Sequence, residues 1–106
     1  MSNTNICVDD IENLNGEEWK QIDFNYFISN RGRVKSLAKW KSRILKQSEN
    51  TNGYLRVELY GKKILTHKLV AKYFLDKPTE GQTEIHHIDL NSKNNSADNL
   101  IYLTKE

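Results

Sequence analysis

The stretch Glu84-Ile85-His86-His87-Ile88-Asp89-Leu90-Asn91-Ser92-Lys93-Asn94-Asn95-Ser96-Ala97-Asp98-Asn99-Leu100 decides how the chain is read. It joins two strand signals, Thr83 to His87 and Leu100 to Thr104, by a polar excursion from Asp89 to Asn99. A histidine pair at a strand end, followed by a loop rich in Asp and Asn, has the parts of a metal and general-base site. A neutral imidazole, with an unperturbed pKa of about 6.5, accepts a proton from water near neutral pH. A divalent ion beside it would stabilise charge developing on a phosphoryl oxygen and on the leaving oxygen. Successive strand residues point to opposite faces, so His86 and His87 cannot share one role unless the strand breaks there. One would bind metal while the other acts as base. The plainer alternative is a polar hairpin with surface histidines, and spacing alone leaves both open.

Working back along the chain, Leu69, Val70, Tyr73 and Phe74 form an apolar stripe at helical spacing. The spacing predicts a helix over Thr66 to Leu75, with Thr66 as N-cap and a stop before Pro78. Tyr54 to Tyr60 alternates as a strand does, with Leu55, Val57 and Leu59 on one face. The turn-rich Glu49-Asn50-Thr51-Asn52-Gly53 precedes it, and Gly61-Lys62-Lys63 reads as a turn after it. Tyr26 to Ser29 and Arg33 to Leu37 read as a hairpin closed by Asn30-Arg31-Gly32, and Arg43 to Gln47 as a further strand. Residues 1–16 form an acidic, Asn-rich lead-in. The prediction is an α+β chain: small β-hairpins plus one helix, leading into a last hairpin with an Asx-rich loop.

Size and composition narrow the function classes. A chain of 106 residues and 12.4 kDa holds one domain or two small modules. The single cysteine, Cys7, rules out a disulfide scaffold or a Cys-rich zinc site. There is no apolar run of membrane-spanning length and the start has no secretory pattern, so a cytoplasmic protein is expected. Charge is segregated: residues 1–30 carry net −5, residues 31–77 net +10 and residues 78–106 net −3. The densest part holds Arg31, Arg33, Lys35, Lys39, Lys41, Arg43 and Lys46 with no acid among them. Such a band suits a polyanion, because each phosphate it neutralises releases counterions. A merely solvated face is the alternative.

The His86-to-Leu100 segment resembles the HNH nuclease motif of phage-type and homing endonucleases, the ββα-metal or His-Me finger class. Thr66-His67-Lys68-Leu69-Val70-Ala71-Lys72-Tyr73-Phe74 is similar to the helix that precedes the motif there. Glu18-Trp19-Lys20-Gln21-Ile22, Tyr26 through Leu37, and Gly53-Tyr54-Leu55-Arg56-Val57 resemble the small DNA-binding module often fused to such nucleases. The blocks cover residues 17–104 in the expected order, which is far more specific than a lone His pair.

The resemblance implies a division into a lead-in (1–16), a nuclease-associated DNA-binding module (17–60) and an HNH nuclease-like module (61–106). It implies that His87 is the general base, that His86 is a metal ligand, and that Asn99, twelve residues after His87, orients it through loop backbone. Asn94 and Asn95 would shape the turn, and Asp89 would support it. The implied cofactor is a divalent ion, Mg²⁺ or Mn²⁺ ahead of Zn²⁺. The implied partner is double-stranded DNA, held by the basic band, with a second chain or a homodimer as a further partner. One departure stands out. The motif's last ligand should fall about nine positions after Asn99, roughly at position 108, so the final helix is expected to be truncated. Hence a second reading: a catalytically incomplete HNH-derived DNA-binding protein or phage-type inhibitor.

Three side chains stand apart. His67 is read as a helix-start or packing residue, ahead of a third imidazole in a zinc-like set. Trp19 and Trp40 are read as core or rim aromatics, with Trp40, between Lys39 and Lys41, alternatively lying along a nucleic-acid backbone. Cys7 is read as inert.

Overall fold

Period-two alternation and Asn/Gly turns build three small antiparallel sheets around one helix. The computed structural model describes residues 11–37 and 41–104; Cys7, Lys39 and Trp40 lie outside that range. The order is β1 (Trp19–Gln21), β2 (Tyr26–Ser29), β3 (Val34–Ser36), β4 (Arg43–Ile44), β5 (Ser48–Glu49), β6 (Leu55–Leu59), β7 (Lys62–Leu65), α1 (Thr66–Phe74), β8 (Glu84–His87) and β9 (Leu100–Leu103). A short 3-10 turn, Ala97–Asn99, runs directly into β9. The sheets are β1-β2-β3-β4, β5-β6-β7 and β8-β9. This is the α+β arrangement expected.

Three local expectations are corrected. Arg43 to Gln47 is not one strand: Arg43–Ile44 pairs with β3, and the chain then crosses to give Ser48–Glu49 to β6. Lys62 and Lys63 are not turn residues but open β7, because Tyr60 (φ 52°) and Gly61 (φ 78°) complete the two-residue reversal alone. Thr66 does not cap α1. The cap position is Leu65, and the Thr66 hydroxyl donates instead to Gln47 Oε1 at 2.6 Å. Trp19–Gln21 forms the edge strand β1, paired to β2.

The core gathers Ile28, Val34, Val57, Leu59, Leu69, Val70 and Leu100, all buried. It draws on all three sheets and on the helix, so residues on both sides of residue 60 share one apolar cluster. Each such aliphatic side chain contributes about 1.5–3 kcal/mol on full burial. The predicted inward face of β6 is observed, with Val57 and Leu59 buried and Glu58 exposed.

The first and last parts of the chain also interlock by backbone. Asn30 accepts from the Ala97 amide at 2.7 Å, and Arg31 Nη1 donates to Ser96 Oγ at 3.3 Å. Gly32 has φ 85°, and a Cβ there would stand 3.0 Å from Asn95 Cβ and 3.1 Å from its carbonyl oxygen. Only glycine allows the β2–β3 turn to press this closely on the Asx-rich loop.

Candidate active site

The β8–β9 register sets the two histidines on opposite faces. His86 lies opposite Ile101 and His87 opposite Leu100. His87 is 8% exposed, whereas His86 is open to solvent. Both line one cleft of about 210 Å³ with Tyr54, Glu84, Ile85, Leu90 and Ser92.

The His87 ring is held on several sides. Its Nε2 lies 2.7 Å from Asn95 Oδ1. Tyr54 stacks on it, with centroids 5.8 Å apart and planes 29° apart, and His67 meets it edge-on at 5.3 Å. An oxygen acceptor at Nε2 requires the proton on that nitrogen, which leaves the Nδ1 lone pair free. The bond therefore selects a tautomer as well as an orientation.

The loop behind the ring is organised by Asn99. Its Oδ1 accepts from the Asp89 amide at 3.1 Å, and its Nδ2 donates to Asp89 Oδ1 and to the Asn94 carbonyl, both at 2.9 Å. Its own carbonyl accepts from the Ile88 amide at 2.8 Å. Asp89 also accepts from the Asn91 amide and from Asn94 Nδ2. Hydrogen bonds from Asn94, then the Asn91 amide and Asn99, hold the Asp89 carboxyl below its ordinary pKa.

Two residues of this cluster escape a reading by sequence. Asn95, grouped with Asn94 as a turn former, is the direct partner of His87. Tyr54, which the alternation sets on the face opposite Leu55, Val57 and Leu59, packs against both His87 and His67. Position in an Asx-rich loop cannot say which amide turns inward, so no signal singled out Asn95. His67 lies at the helix start, as favoured, yet it also touches His87. Among the described residues, the buried side-chain polar atoms without a hydrogen-bond partner are His67 Nδ1 and Asn95 Nδ2, on the two residues that flank His87.

Burial, then the charge His87 would carry and that of Lys68, pushes His67 down to about 4. In the unfolded chain the same group titrates near 6.5. Between these values the unfolded state binds more protons, so stability is lost as pH falls from about 6.5 through about 4. Melting curves across that window should show a loss of roughly 2–3 kcal/mol. His67→Gln should flatten the slope, and an unchanged slope would remove His67 as its source.

The basic band divides. Arg33 pairs with the Glu17 carboxylate, donates to the Glu12 carbonyl and lies over Trp19. Burial pushes the Glu17 carboxyl up, but hydrogen bonds from Arg33, the Leu14 amide and Ser29 outweigh it and bring it to about 2. Lys35 is 6% exposed, its Nζ 4.3 Å from the Trp19 ring centre. Arg31 is exposed but donates to the Asn15 carbonyl at 2.7 Å as well as to Ser96. Lys41, Arg43 and Lys46 lie exposed. The band is thus partly a structural set that ties β2 and β3 to residues 12–17.

Among the described residues, no group of three or more His, Cys, Asp or Glu side chains gathers that could hold a metal ion. No helix among them is long and apolar enough to cross a membrane.

A β-ribbon bearing a histidine pair, with an asparagine from the return strand's approach bonded into the loop between, is the arrangement that the HNH resemblance implies. Comparison with known proteins agrees. Residues 17–60 match the NUMOD4 motif. The chain is 38% identical over 84 residues to the HNH endonuclease L247 of Acanthamoeba polyphaga mimivirus, covering 74% of this chain and 21% of that protein. It is 37% identical over 86 residues to the H-N-H endonuclease F-TflII of Escherichia phage T5, covering 76% and 44%. A solved structure described as DNA binding and cleavage by the HNH homing endonuclease I-HmuI superposes with a TM-score of 0.72 at 35% identity. That match covers 82% of this chain and 52% of the other. The chain is therefore a homologue of the HNH endonucleases and carries a NUMOD4 motif. It spans between about a fifth and a half of the length of these relatives.

Proposed function

We propose that the chain serves HNH-type endonuclease chemistry: divalent-metal-dependent hydrolysis of DNA phosphodiester bonds, by nicking or cleavage. The observation that carries this is the His87–Asn95 bond in a cleft shared with His86. It leaves one imidazole nitrogen ready to accept a proton, next to an exposed imidazole able to ligate.

In this reading His87 Nδ1 takes the proton from the water that attacks phosphorus. Asn95 fixes the ring's tautomer, and Asn99 holds the loop that carries Asn95 against β8. His86 would hold the ion, with Glu84 on the same strand face as a second donor. The ion, when bound, would stabilise charge on the leaving oxygen. Two donors fit a shared site, in which phosphate oxygens and water complete the shell of a hard cation. Exposed Lys41, Arg43 and Lys46 would contact phosphates, with residues 17–60 as the DNA-binding module and 61–106 as the nuclease-like one.

The test is incubation of the purified chain with supercoiled plasmid and Mg²⁺ or Mn²⁺. Nicked circles are expected, and EDTA should abolish them. Salt-sensitive binding without nicking would overturn the hydrolytic reading and leave a DNA-binding protein.

A further inference from the structure

We propose that Leu90 is an apolar wedge that enters a base step of duplex DNA beside the phosphate to be cut, an inference that rests on the endonuclease reading of this cleft. Among the described residues only two that are not glycine have positive φ, Tyr60 at 52° and Leu90 at 65°. Tyr60 is accounted for: it forms a hairpin reversal with Gly61, and its ring packs edge-on against Tyr26 at 5.0 Å.

Leu90 ends the turn that its amide closes on the His87 carbonyl, but its side chain gains no comparable packing there. A γ-branched side chain is held in the left-handed region, which non-glycine residues adopt only at a cost. With 91% of its surface exposed, it gains almost no packing in return. Its backbone is fixed all the same: the Leu90 amide donates to the His87 carbonyl at 2.9 Å, and Asp89 and Asn91 on either side are bonded to each other. Ile88, two residues before, is exposed too. The strained, rigidly mounted apolar side chain therefore stands on the rim of the cleft that contains His86 and His87.

An exposed apolar tip on a hydrogen-bonded turn at the cleft rim is placed to gain its contacts from a bound duplex. Apolar side chains that enter a base step unstack it and kink the duplex, and the kink brings more backbone onto the protein. A wedge three residues from His87 would open the duplex next to the attacking water. This would place a chosen phosphate in the cleft rather than add affinity from a distance.

The experiment relaxes closed-circular plasmid with a type IB topoisomerase in EDTA, where DNA is bound but not cut, and reads the topoisomer distribution. The unsubstituted chain should shift it toward unwinding. At equal occupancy by gel shift, Leu90→Gly should lose more than half of that shift and Leu90→Met should keep it. Leu90→Gly should also melt higher by a few degrees, because glycine adopts the left-handed conformation freely. An equal shift from Leu90→Gly, no unwinding by either chain at full occupancy, or a lower melting temperature for Leu90→Gly would each overturn the wedge while the nuclease reading stands. Absence of plasmid binding by the unsubstituted chain would sink the nuclease reading itself, and the wedge with it.

Discussion

His87→Ala is expected to lower metal-supported plasmid nicking by about 10²–10⁴-fold, the range that a positioned general base contributes. DNA binding should stay within about twofold, because the ring is only 8% exposed and offers little surface to phosphates. The substitution leaves the Asn95 amide with neither of its side-chain atoms paired, so some stability is lost as well. An unpaired buried polar group costs about 1–3 kcal/mol. Melting curves taken with the cleavage assay separate the two effects. If the variant is folded at the assay temperature and nicks as fast as the parent, His87 is not the base.

Asn99→Ala should be the most destabilising single change near the site. The carboxamide makes three hydrogen bonds, to the Asp89 amide, the Asp89 carboxylate and the Asn94 carbonyl, and all three lie behind the His-bearing strand. Removing it strands partners in a part-buried loop, for an expected loss of about 2–4 kcal/mol. Asn99→Asp can still accept from the Asp89 amide, but it loses both donations and faces the Asp89 carboxylate with a like charge. It should therefore recover little. In a chain of this size such losses lower the melting temperature by about 10 °C or more. Activity should fall further than the unfolded fraction explains, since the loop that carries Asn95 would no longer hold the His87 tautomer. A melting temperature within a degree or two of the parent for Asn99→Ala would show that the loop stands without this clamp.

Much of the fold was legible because it rests on local rules. Period-two alternation marked β6 and its inward face, and the Asn-Arg-Gly reversal marked the β2–β3 hairpin. The Leu69, Val70, Tyr73, Phe74 stripe marked α1 to within one residue of its end. The misread pieces depend on partners outside the segment itself, apart from Lys62 and Lys63, where Tyr60 and Gly61 complete the reversal alone. Two-residue strands such as β4 and β5 carry no period of their own and exist only because β3 and β6 accept them. Thr66 had the chemistry of a cap, but its hydroxyl found Gln47, nineteen residues upstream.

The same division runs through the site. Amino-acid order alone placed His86 and His87 on opposite faces of a strand and put Asn99 at the foot of the return strand, because strand geometry and loop spacing are local. Only the tertiary structure decided that Asn95 rather than Asn94 reaches His87, and it set Gly32 of a distant hairpin against Asn95 with no room for a Cβ. It also decided that Tyr54 and His67 enclose the imidazole. And it drew Arg33 and Lys35 out of the cationic surface, because a buried Glu17 carboxylate and a Trp19 ring hold them more favourably than solvent does.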